Sequence, residues 1–178
     1  MVEEATIIAR AKAGDGRAFE QLLDRYETTV FNAAYRMVLN HEDAADITQT
    51  VFLKVYRYLD SYDPGRKFFS WIYRIAVNES INHLRRNRPE VALEGDFVSP
   101  EDGLLDRIAG DERSDGIQRA LAMLKPDYRV VIVLKYFLEL PYSEISEIAG
   151  IPEKTVKSRL HTGRELLRKA LTKQGIER

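Results

Sequence analysis

Apolar residues recur at three- and four-residue intervals along most of the chain, and nowhere do they alternate with polar ones as a strand would require. A short helix is expected from about Thr6 to Ala13, closed by the Gly14-Asp15-Gly16 turn. A longer one follows, with Phe19, Leu22, Leu23, Tyr26, Val30, Ala33, Ala34, Met37 and Val38 at helical spacing. A third starts near His41 and Glu42, whose acidic first turn suits the positive end of the helix dipole. Its apolar positions are Ala45, Ile47, Val51, Phe52, Val55 and Leu59. Pro64-Gly65, in "SYDPGRK", marks a turn. A fourth helix then runs from about Phe68 to Asn87 and stops before Pro89.

The pattern lapses over residues 89–116, which hold Pro89, Pro100, several glycines and nine acids. This composition suits a flexible acidic linker, with "GLLDRIAG" as a candidate short helix inside it. Helical spacing resumes over Ile117 to Leu124 and Asp127 to Leu138, separated by Lys125-Pro126. The expected architecture is all-α: two small helical domains, 1–88 and 117–178, joined by the linker 89–116.

The last stretch carries the most specific local pattern. In "PYSEISEIAGIPEKTVKSRLHTGRELLRKAL", Ser143 is placed to cap a short helix with the apolar stripe Ile145, Ile148 and Ala149. Gly150 suits a left-handed helix end, and Pro152 tolerates the start of a second, longer and basic helix. Two helices joined by such a tight turn describe a helix-turn-helix. At 100° per residue, Val156, Leu160, Gly163 and Leu167 fall on one side, toward the first helix. Lys154, Lys157, Ser158, His161, Thr162 and Arg168 fall on the other. In this geometry the start of the second helix meets base edges in the major groove, while Lys and Arg neutralise phosphates. A mid-helix glycine costs about 1 kcal/mol relative to alanine. The inward position of Gly163 therefore implies a neighbouring helix that approaches closely.

Charge sharpens this picture although the net charge of the 178 residues is only −1. Residues 1–88 sum to +1, residues 89–116 to −7 and residues 117–178 to +5, the last 26 residues alone accounting for that +5. There is no cysteine, which excludes disulfides and thiol chemistry and points to a reducing compartment. The charged N-terminus lacks the apolar core of a secretion signal, and no apolar run approaches the ~20 residues a membrane span needs. A cytoplasmic protein is expected. The histidines His41, His83 and His161 are scattered, and neither an HExxH nor a phosphate-binding glycine loop is present. No metal site, cofactor or catalytic residue is expected.

Two N-terminal stretches have open readings. In "FFSWIYRIAVNESINHLRRNR" the apolar residues are not confined to one stripe, and Arg85, Arg86 and Arg88 close it. Such a helix is either buried on several sides or presents aromatics beside a basic track, as single-strand-binding proteins do. In "HEDAADITQTVFLKVYRYL", Asp43, Asp46 and Gln49 share one side, which reads as a hydrated face or as a docking surface.

Taken together and in order, these segments resemble a bacterial RNA polymerase sigma factor of the extracytoplasmic-function (ECF) group, which keeps only conserved regions 2 and 4. "DAADITQTVFLKVYRYLDSY" resembles region 2.2, the aromatic-basic helix regions 2.3 and 2.4, and the stretch from "ALAMLKPDYRVV" to "LLRKAL" region 4. The resemblance implies that Asp43, Asp46, Gln49 and Phe52 dock on the clamp helices of the polymerase largest subunit. It implies that loop 61–67, with Arg66 and Lys67, and Asn78 form the pocket for a base flipped from the minus-ten promoter element. Phe69, Trp71, Tyr73, Arg74, Asn82, Arg85, Arg86 and Arg88 are implied along the same DNA path. Lys154, Thr155, Lys157, Ser158, Arg159, His161 and Thr162 match the helix that enters the minus-thirty-five major groove. Thr50 and Thr162 stand where the family usually has a glutamate and a basic residue. The implied partners are core RNA polymerase, promoter DNA and an anti-sigma factor. The competing reading is a conventional dimeric helix-turn-helix regulator with an N-terminal sensor or dimerisation domain.

Overall fold

The computed structural model describes residues 2–86 and 112–174, and among these all regular structure is helical. The elements are α1 (Val2–Lys12), α2 (Gly16–Val38), α3 (His41–Tyr58), α4 (Phe68–Arg86), α5 (Glu112–Ala122), α6 (Pro126–Tyr136), α7 (Tyr142–Ala149) and α8 (Glu153–Lys173). A single 3₁₀ turn, Leu59–Ser61, follows α3. No described helix is long and apolar enough to cross a membrane. Three boundaries differ from expectation. Helix α1 starts earlier, at Val2, with Glu3 and Glu4 in its first turn. Helix α5 starts at Glu112, inside the stretch expected as linker, because an acidic run is as good a helix start as a linker. Ser143 does not cap α7: Pro141 occupies that position and Ser143 lies within the first turn. The rest of the acidic stretch, including "GLLDRIAG" and Arg88, lies outside the described residues.

Helix α2 organises the N-terminal set. Its stripe of Ala18, Leu22, Tyr26, Val30, Ala33, Ala34 and Met37 is buried against α1, α3 and α4. Asp15 starts it, with Oδ1 accepting from the amides of Arg17 and Ala18 at 3.1 and 3.3 Å and Oδ2 accepting from Arg10 Nε at 2.9 Å. The hydrogen bond from Arg10, then those from the backbone, hold this carboxyl below its ordinary value of 3.8. A carboxyl lowered in the folded state stabilises the fold above its unfolded value, and that contribution is lost as pH falls through the lowered one. Asp15→Asn is therefore expected to flatten the acid limb of the stability–pH curve measured by urea unfolding below the ordinary carboxylate value. An unchanged limb would show that Asp15 contributes nothing to it.

The far end of α2 turns sharply. Leu39 is left-handed, with φ of 62°, and its side chain is buried. Asn40 then caps α3, its Oδ1 accepting from the amides of Glu42 and Asp43 at 2.9 and 3.1 Å. Asn40→Ala should cost about 1 kcal/mol in thermal or urea unfolding, the usual worth of such a cap.

In the C-terminal set, the middle of α6 is a continuous apolar run, and Val130, Val131, Ile132, Val133 and Leu134 are all buried, shielded by α8 and α7 on its own side. Its remaining surface meets the N-terminal set, since α2 also packs on α6 and α5, and α4 on α7 and α6. The two helical sets thus share one continuous apolar core.

Candidate nucleic-acid and polymerase interfaces

The α7–α8 pair forms the expected helix-turn-helix. Gly150 ends α7 in the left-handed conformation, with φ of 65°. Ser146 Oγ donates to the carbonyl of Ile151 at 2.6 Å, and the Ile151 amide donates back to the Ser146 carbonyl at 3.2 Å. These bonds set the angle at which α8 leaves the turn. Val156, Leu160, Gly163, Leu166 and Ala170 form its buried side. Gly163 faces α6 rather than α7: a Cβ there would stand 3.1 Å from Ile132 Cγ1. The glycine does permit a close helix approach, but by the hydrophobic helix that lies under the motif.

On the outer side of α8, Lys154, Lys157, Ser158 and His161 are exposed, and Thr155 and Thr162 are half-buried. Lys157 Nζ and Lys135 Nζ lie 5.9 and 5.3 Å from the ring centroid of Tyr142, so this tyrosine steadies the Lys157 side chain. Arg159 differs from its neighbours. It is tied to Asp127 of α6 at 2.7 Å, which directs it back toward the protein. In this conformation Arg159 anchors α8 rather than extending from the reading face.

On α4, Arg74, Asn78, Asn82, Arg85 and Arg86 are exposed, the first four at four-, four- and three-residue steps along one face. Phe69 and Trp71 are half-buried; Trp71 sits 5.4 and 5.6 Å from the rings of Tyr62 and Phe68. Tyr73 departs from expectation. It is 0% exposed, packed on Phe69 at 4.3 Å, and burial pushes its hydroxyl up to about 12. Tyr73 is a core residue and offers no face for a base. The preceding loop is braced: the Gly65 amide donates to Asp63 Oδ1 at 2.8 Å, Tyr62 Oη donates to the Arg66 carbonyl, and Lys12 Nζ donates to the Tyr62 carbonyl at 2.8 Å. Arg66 and Lys67 project from that loop, and both meet acids of α7. Arg66 Nη1 lies 3.3 Å from Glu147 Oε1, and Lys67 pairs with Glu144.

On α3, Asp46 and Gln49 are exposed, while Asp43 is half-buried beside His83 Nε2 at 3.2 Å. Phe52 is a second correction: at 6% exposed it holds α3 onto the core and cannot itself be a contact surface. The apolar residues on the outer face are instead Leu53, 65% exposed, and Tyr56, 69% exposed. With Asp46 and Gln49 they make one stripe at three- and four-residue steps. Sequence reading passed over them because the inward stripe of α3 was already complete. The available signal was two large apolar side chains out of phase with it.

Comparison with known proteins assigns both helical sets. The family model described as Sigma-70 region 2 matches residues 22–90, and that described as Sigma-70, region 4 matches residues 114–167. The chain is 41% identical to the ECF RNA polymerase sigma factor SigW of Bacillus subtilis (strain 168), over 92% of this chain and 94% of the relative. It is 32% identical to the ECF RNA polymerase sigma-E factor of Escherichia coli (strain K12), over 92% of each. Among solved structures, CnrH in complex with the cytosolic domain of CnrY superposes with a TM-score of 0.72 at 27% identity, covering 95% of this chain and 97% of that one. The region 2 match spans most of the half that a dimeric regulator would use as sensor, and so disfavours that reading.

Proposed function

The chain belongs to the sigma-70 family, in its ECF group, and from this premise we propose how its surfaces divide the work of promoter recognition. The α3 stripe of Asp46, Gln49, Leu53 and Tyr56 docks on core RNA polymerase. The exposed face of α4, with Arg66 and Lys67 of the preceding loop, follows the minus-ten element as it melts. The outer side of α8 reads the minus-thirty-five element, with Lys157 held on Tyr142. The protein performs no chemistry itself; it places the polymerase, in the cytoplasm where polymerase works, and an anti-sigma factor restrains it. What carries the reading is that three helices each lock one face in the core and leave the opposite face polar, basic or apolar as its partner requires.

Reconstitution tests it. Core polymerase supplemented with this chain should start transcription from a subset of promoters that core alone ignores, with the chain acting as one copy per polymerase. Binding to a palindromic operator as a dimer, with no effect on core polymerase, would sink the proposal. Within the active holoenzyme, Lys157→Ala should reduce the slope of log affinity against log salt by about 1 while weakening binding. Filter-binding titrations at several salt concentrations measure that slope, and an unchanged one removes Lys157 from the phosphate contacts.

A further inference from the structure

Lys12 closes α1, and its charge there suits the negative end of the helix. That ordinary role does not account for where its side chain goes. Arg10, in the same turn, bonds locally to Asp15, whereas Lys12 Nζ reaches across the fold to the loop before α4. It donates to the carbonyls of Asp60 and Tyr62 at 3.3 and 2.8 Å and lies 5.6 Å from the centroid of the Tyr62 ring. One half-buried ammonium thus holds two backbone carbonyls and a ring face, and charge-assisted bonds of this kind are the stronger ones. Helix α1 lies before the stretch matched to region 2, yet through Lys12 it grips a loop within that stretch.

Tyr62, the residue gripped, is the point from which the exposed part of the loop hangs. Between Leu59 and Phe68 it is the one buried side chain, while Asp63, Pro64, Gly65, Arg66 and Lys67 are all exposed. Its ring packs against Phe68 and Trp71 of α4 at 5.2 and 5.4 Å. Its hydroxyl donates to the Arg66 carbonyl. Burial, then Glu4 and Asp63, raise that hydroxyl above its ordinary value of 10.0, so it stays a donor. Inside this clasp the Arg66 amide donates to the Asp63 carbonyl at 3.0 Å, which closes a turn over residues 63–66. The turn is therefore fixed from three directions: α1 through Lys12, α4 through the ring, and its own far end through the hydroxyl. A pocket that reads a flipped base by its edge needs groups placed to hydrogen-bonding accuracy, which an unsupported exposed turn does not provide.

We propose that Lys12 and Tyr62 are positioning residues for minus-ten recognition: α1 sets the shape of the base-reading turn without touching DNA itself. Loosening the turn costs the preferred base more than the others, because only the preferred base makes the hydrogen bonds that depend on that shape. The proposal rests on the reading of loop 61–67 as the pocket for the flipped base.

The test uses holoenzyme assembled from core polymerase and the full chain, with a pool of duplex promoters randomised in the minus-ten and minus-thirty-five blocks. Sequences that yield transcript are counted for the wild type, Lys12→Met and Tyr62→Phe. In both variants, enrichment of the preferred base at the most selective minus-ten position should fall at least about fivefold, the worth of one misplaced hydrogen bond. Enrichment in the minus-thirty-five block, read by α8, should not change. A general loss of stability, of polymerase affinity or of positive charge near DNA acts on all sequences alike and cannot produce that split. Minus-ten enrichment at the wild-type level, or an equal fall in both blocks, overturns the proposal. A fall in Tyr62→Phe alone, with Lys12→Met folded, overturns the part given to α1. If Lys12→Met melts region 2, seen by circular dichroism, Tyr62→Phe decides, since it keeps the ring and removes only the hydroxyl. Asp63→Ala/Arg66→Ala separates this proposal from the reading beneath it. If that variant loses minus-ten preference while Lys12→Met and Tyr62→Phe keep theirs, only the positioning role falls. If it keeps the preference, the loop is not the pocket and both fall.

Discussion

Replacing Gly163 with leucine should destabilise the fold by about 3 kcal/mol, the upper end of what overpacking a filled core costs. A Cβ at this position would already stand 3.1 Å from Ile132 Cγ1 and 3.6 Å from Tyr128 Cβ, and Ile132 is fully buried, so the further atoms of a leucine have no open space to enter. Against a typical stability of about 5–15 kcal/mol, the loss is large. Alanine is the informative control. It recovers about 1 kcal/mol of helix propensity, but only if Ile132 shifts by a few tenths of an ångström. The Ala variant should lie close to the wild type, and the Leu variant should unfold at a much lower urea concentration. A leucine variant of unchanged midpoint but altered promoter preference would contradict the inward placement.

Reversing the character of the outer face of α3 should have the largest effect on function. In Leu53→Asp/Tyr56→Asp, binding to core polymerase should weaken by at least about two orders of magnitude, as expected when two central apolar anchors are lost. Both side chains are mostly exposed, so the melting temperature should barely move. Phe52→Ala should show the opposite signature, losing about 3 kcal/mol of stability because it leaves a cavity between α3 and the core. Titration of labelled protein with core polymerase, beside a thermal melt, separates the two. Wild-type affinity in the double variant would move the docking face elsewhere.

Helix type and order were legible in the sequence because apolar spacing reports which side of a helix is covered, whatever covers it. The helix-turn-helix was legible for the same reason, with Gly150 and Pro152 marking its turn. What spacing could not convey was the identity of the covering element. Gly163 was correctly placed inward, but α6 could not be distinguished from α7 as its neighbour. Tyr73 and Phe52 were assigned to partners by resemblance, whereas both belong to cores closed by α2 and α4. Arg129 gave no signal at all, since a lone arginine in "DYRVVIVL" reads as a solvated charge. Its burial depends on carbonyls 92 and a few residues away, which only the tertiary arrangement brings together.

The joint between α2 and α3 has a consequence for how the polymerase is met. Two residues make the turn, one a buried leucine held in a conformation that costs about 1 kcal/mol and the other an asparagine committed to two amides. Such a joint leaves no slack between the helices, so α3 presents its outer stripe already oriented. Docking then immobilises only side chains such as Leu53 and Tyr56 and leaves the backbone entropy of this region untouched. Calorimetry of the association should accordingly show a heat-capacity change that matches the surface buried between rigid bodies, without the excess that accompanies folding on binding. The pre-set angle makes α2 and α3 a single rigid key.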